Sequence, residues 1–84
     1  MNNIVIDDKN KEVIINLNTV FYPEAFIIKT AEKFEIFCWI NLSGNPDKCI
    51  NVSLKPKNDA ISYDKVGFEF MNHLLATIKD SEVA

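Results

Sequence analysis

The chain contains no arginine; its nine basic residues are all lysines, set against twelve acids for a net charge of −3. Arginine is the side chain best suited to bidentate recognition of phosphate and guanine. An acidic chain without it, whose lysines are scattered rather than clustered, is predicted not to bind nucleic acid. Histidine occurs once, as His73. There is no linker, no low-complexity tract and no strong internal repeat. No apolar run approaches the ~20 residues that span a bilayer, which excludes a transmembrane helix. "MNNIVIDDKNK" has neither a basic n-region nor a long apolar h-region, so no signal peptide is predicted and the expected compartment is the cytoplasm. The sequons at Asn41 and Asn51 are then chance matches.

What is present is a core. The chain has 84 residues, 48% of them apolar and nine aromatic, well above a disordered composition. The length suits one domain, with an N-terminal strand and turn over 1–11, a core over 12–80 and a frayed tail over 81–84.

Periodicity assigns the elements. "IVI" (Ile4–Ile6) is a short strand candidate, followed by the polar turn "DDKNK". In "EVIINLN", Val13, Ile15 and Leu17 alternate with Glu12, Ile14 and Asn16, the signature of a half-buried strand. Pro23 opens a helix to about Lys33, with Phe26, Ile27, Thr30, Ala31 and Phe34 on one face. "EIFCWINL" is the strongest strand signal. "SGNPDK" is a turn, and "CINVSLK" is the return strand, with Ile50, Val52 and Leu54 on one face and Pro56 as its stop. A second helix is predicted from about Tyr63 to Lys79. Tyr63, Gly67, Phe70, Met71, Leu74 and Ile78 form its apolar stripe, and Gly67 permits close approach to the sheet. The expected fold is a two-layer α+β domain in the order (β)βαββα, with a small, mostly antiparallel sheet and both helices on one face. Strand order is left open.

Chemistry-bearing residues are sparse. His73 falls at the boundary of the polar face of the last helix, near Glu69 and Thr77, with no oriented partner or nucleophile. If Cys38 shares the core face with Ile36, Ile40 and Leu42, then Cys49 points to the other face and no disulfide joins the two. Cys38, Cys49 and His73 lack metal-ligand spacing and a fourth ligand. No cofactor, metal or catalytic residue is therefore assigned, and a non-enzymatic protein is expected. The informative feature is "IFCWI". With Cys38 facing the helices, Phe37 and Trp39 face away and join Ile14 on the open face of the sheet. Exposed aromatic patches of this kind mark interfaces. Strand addition at a sheet edge is a second route to a partner.

Three stretches resemble the HxsD-like family: "YPEAFIIKTAEKF" (Tyr22–Phe34), "VSLKPK" (Val52–Lys57) and "FMNHLL" (Phe70–Leu75). The matching residues are Tyr22, Pro23, Ala31, Phe34, Lys57, Asn72 and Leu75, and the resemblance covers roughly Glu12 to Lys79. His73 stands where the family often has an acid. The family belongs to the His-Xaa-Ser system, which encodes a repeat peptide with two radical SAM enzymes. The resemblance implies a small accessory protein whose partner is a precursor peptide or a radical SAM maturase. It also adds Asn72 as a hydrogen-bonding handle to the partner-binding set of Ile14, Phe37 and Trp39. A self-associating structural protein, with the same patch buried in a homodimer, is the alternative from a different class.

Overall fold

The computed structural model of the chain describes residues 3–83, with side-chain surroundings for 4–81. Among these, four strands and two helices alternate as β1 (Asn3–Asp7), β2 (Glu12–Asn18), α1 (Glu24–Phe34), β3 (Cys38–Asn45), β4 (Cys49–Pro56) and α2 (Tyr63–Val83). The strands form one sheet in the order β1-β2-β4-β3, and every neighbouring pair is antiparallel. The α+β architecture expected from periodicity is the one observed. β2 and β3 run parallel to each other with β4 inserted between them, so β2–α1–β3 is a split β-α-β unit.

The two outer strands follow from local turn chemistry. Asp7 accepts hydrogen bonds from the backbone N–H and the side-chain amide of Asn10, at 3.1 and 2.8 Å, closing the β1–β2 hairpin. The β3–β4 hairpin closes at Asn45, opposite Cys49. Its approach requires glycine: Gly44 has φ +107°, and a Cβ there would lie 2.5 Å from the carbonyl oxygen of Cys49.

The core lies between the sheet and the helices. Val13, Ile15 and Leu17 of β2 and Ile50, Val52 and Leu54 of β4 are buried on one face. Ile27, Thr30, Ala31 and Phe34 of α1 close over them, together with Val66, Phe70, Met71 and Leu74 of α2. The two buried hydroxyls cause no unmet polar demand. Thr30 Oγ1 donates to the carbonyl of Phe26 and Thr77 Oγ1 to that of His73, both at 2.8 Å. α2 lies over β2 and β4, with only its margin reaching β1, while α1 packs against α2 and the β3 side. β1 is therefore at the rim of the helical layer. Gly67 permits the contact anticipated for it: a Cβ at that position would sit 2.8 Å from Val13 Cγ1.

Four expectations are corrected. β3 begins at Cys38, not Glu35, because residues 35–37 form a turn in which the N–H of Phe37 bonds to the carbonyl of Phe34. Ile36, expected in the core, is therefore exposed. Pro23 occupies the N-cap of α1, with ψ 140°, rather than its first turn. The tail predicted to fray from 81 continues α2 through Val83, and residue 84 lies outside the described residues.

Candidate functional site

The open face of the sheet is not the aromatic patch predicted for it. The register places Val5, Ile14, Ser53 and Asn41 side by side across the four strands, and Asn16, Asn51 and Ser43 in the next row. Asn16 Nδ2 donates to Asn51 Oδ1 at 2.6 Å, and the Ser53 hydroxyl donates to Glu12 at 3.4 Å. A polar strip thus separates half-buried Ile14 from Trp39, which stands on β3 opposite Lys55. Phe37 leaves this face altogether. The turn at 35–37 swings its ring to the helical side, 6.4 Å from the ring of Phe34 in an edge-to-face arrangement. Asn72 is exposed on the outer side of α2, in the layer behind the sheet. Of the four residues predicted to share a partner surface, only Ile14 and Trp39 share a face.

What the structure assembles instead is a bordered edge. Among the described residues β3 has a single strand neighbour, β4, so the outward-facing N–H and C=O groups of this eight-residue strand have no strand partner. Trp39 stands at the start of that edge with 65% of its surface exposed. The ammonium of Lys57 lies 4.7 Å from the centroid of its ring, a cation–π contact. Lys55 stands opposite Trp39 on β4, so two lysines flank the indole.

On the helical side the edge meets two shallow grooves. One, about 130 Å³, lies between Glu24 and Ile28 of α1 and the segment Leu42–Gly44, with Pro46 and Ile50. The other, about 210 Å³, is lined by Phe34, Phe37, Ile61, Val66, Glu69 and His73. His73 forms part of the wall of this groove: its imidazole meets Phe34 edge-on, with centroids 5.3 Å apart. No side-chain hydrogen bond to that imidazole forms among the described residues.

The two cysteines are free and lie at opposite ends of the β3–β4 ladder, Cys38 opposite Pro56 and Cys49 opposite Asn45. Burial pushes the Cys38 thiol up, and the positive charge of Lys57 only partly offsets it. Among the described residues no three His, Cys, Asp or Glu side chains come together as a metal site. A further depression, about 550 Å³, runs under the 57–62 loop between Lys11, Lys55 and Tyr63. It is open and lined by loop residues, and the Tyr63 hydroxyl beside it is already donated to Asp8. That bond, followed by burial, raises the phenol above its ordinary value.

The β3 border was only partly legible in the residues. Trp39 was marked by its place in an apolar strand. Leu42 was assigned to the core face of β3, but its meeting with Ile28 was not legible because it depends on α1 crossing to the β3 side. No helix among the described residues is long and apolar enough to cross a membrane. No family model, curated protein or solved structure matches this chain.

Proposed function

We propose that this protein is a non-enzymatic accessory module that holds an extended peptide as an added strand along β3. The observation that carries the reading is the combination at that edge: the outward side of an eight-residue strand with no further strand beside it, with Trp39 on one side and an apolar groove beside α1 on the other. Backbone pairing supplies sequence-tolerant affinity, and alternate side chains of the guest meet different surfaces. One set contacts Trp39 and the open face. The other turns toward Ile28 and Leu42. Lys55 and Lys57 favour a guest with an acidic residue beside the indole.

The HxsD-like resemblance supports the same reading and suggests the guest: a precursor peptide with His-Xaa-Ser repeats, or an extended segment of a radical SAM maturase. The test is a titration of isotope-labelled protein with a synthetic His-Xaa-Ser peptide carrying an acidic flank, followed by amide NMR and by Trp39 emission. β3 amides are expected to shift and to gain exchange protection, with Trp39→Ala removing the binding while preserving the fold. Saturable binding that leaves the β3 amides unchanged refutes strand addition at this edge.

A further inference from the structure

The opposite edge of the sheet is built differently. The helical layer stops short of β1, so the core-facing side of that strand is incompletely covered and Ile6 is 40% exposed. Next to it, α2 presents a second apolar margin. Phe70 and His73 turn toward Phe34 of α1, and Thr77 lines a crevice with Lys29 and Lys33. At 100° per residue, Phe68 and Leu75 fall on the opposite flank, toward β1. They are 59% and 50% exposed. β1 itself carries no lysine, proline or bulge, the usual devices that blunt an edge.

We infer that this edge is a self-association site, at which β1 pairs antiparallel with β1 of a second copy to form one continuous eight-stranded sheet. Three features select a second copy over an unrelated partner. The first is register. Antiparallel pairing centred on Val5 sets Ile4 against Ile6 of the copy twice, on the core face. The second is charge. The same pairing puts Asp7 opposite position 3, so the only charged residue of the strand does not meet its own copy. The third is space. With α2 seated over β2 and β4, about four strand spacings of about 4.8 Å separate it from its copy by roughly 19 Å. Directly packed helices stand ~8–10 Å apart. The gap needs large side chains rising from both helices and from the strands below, and Phe68 and Ile6 are exposed on that side of each copy. A two-fold axis thus supplies each molecule with the cover its own helices do not provide.

Light scattering across a dilution series tests this. The unaltered chain is expected to be a dimer that dissociates on dilution. Val5 lies at the axis on the open face, where substitution leaves the core intact. Val5→Lys sets two like charges directly opposite each other and is expected to raise the dissociation constant roughly tenfold or more. Phe68→Glu is expected to do the same from the helix. Val5→Lys mixed with Val5→Glu should restore the dimer as a heterodimer, a rescue that a merely misfolded variant does not show. Trp39→Lys, on the other edge, should leave the dimer unchanged. A monomer at every concentration into the millimolar range overturns the inference. So does a dimer indifferent to Val5→Lys, or one broken by Trp39→Lys.

Discussion

The contact between Gly67 and Val13 sets how closely α2 lies on the sheet, and it can be tested by adding one methyl group. In an isolated helix, Gly→Ala is favourable by about 1 kcal/mol. Here the added Cβ would meet Val13 Cγ1 at 2.8 Å, with Ile4 Cγ2 at 3.5 Å. Val13 is fully buried, and its β-branched side chain has few alternative rotamers on a strand. The helix must therefore lift or the strand must shift, at the ~1–3 kcal/mol typical of overpacking. Gly67→Ala is expected to be neutral to destabilising by about 2 kcal/mol, the opposite of its intrinsic propensity. The decisive arm is a double-mutant cycle. Val13→Ala removes the obstructing methyls and by itself costs about 2 kcal/mol in lost burial and a cavity. In that background Gly67→Ala should stabilise, by about 1 kcal/mol from propensity together with partial filling of the cavity. The coupling energy is then on the order of 1–3 kcal/mol. At a urea m-value of about 1 kcal/mol/M it is read as a midpoint difference of roughly 1–3 M. Far-UV circular dichroism is the appropriate signal, since Trp39 is largely exposed. If Gly67→Ala raises the urea midpoint with Val13 in place, close packing of α2 on β2 is wrong.

Two further predictions follow from the same packing. Alkylation with iodoacetamide under native conditions should label Cys49 first, because Cys38 is buried and its thiol is held up by desolvation; mass spectrometry of a time course should show Cys38 modified only at the rate of opening of the β3–α1 side, and equal rates refute its burial. Hydrogen bonds from Asn10, first from its side chain, hold the Asp7 carboxyl below the ordinary carboxylate value; its contribution is present above about pH 4 and is lost as pH falls through the lowered folded pKa. In Asn10→Ala the carboxyl should titrate closer to its ordinary value, followed by NMR, and an unchanged titration curve would falsify the turn assignment.

Strands β2 and β4 and both helices were legible because polar residues phase their apolar ones. Glu12 and Asn16 frame Val13 and Ile15, while Asn51 and Ser53 frame Val52. β3 was misread at its start because "IFCWI" contains no polar residue to fix the phase. Continued alternation therefore carried Ile36 into the core and Phe37 onto the open face. The structure spends residues 35–37 on leaving α1, and that reverses both assignments. Strand order was illegible for a different reason: placing β4 between β2 and β3 is a non-local choice that local patterning does not encode. The margin formed by Phe68 and Leu75 had a faint signal, two large apolar residues seven apart beside the main stripe of α2. Its meaning appears only once β1 is known to be the neighbouring edge.

The contrast between the two edges explains why they are assigned different partners. At β3 the helical layer reaches the rim: α1 stands beside the strand, and a groove lies between them. A single extended segment is enough to complete that border, because the side chains it turns inward find a wall already in place. At β1 there is no such wall. A lone peptide strand added there would satisfy the backbone but leave Ile6, Phe68 and Leu75 in water, along with its own inward side chains. Covering them takes a partner that brings a helix together with its strand, at the right height and direction. A second copy does so by symmetry, since α2 accompanies β1 in the same chain. Pairing through β1 also leaves both β3 edges free at the two ends of the extended sheet. A dimer of this form would present two peptide sites, and Val5→Lys should therefore abolish the dimer while leaving the affinity of each β3 edge for its peptide unchanged.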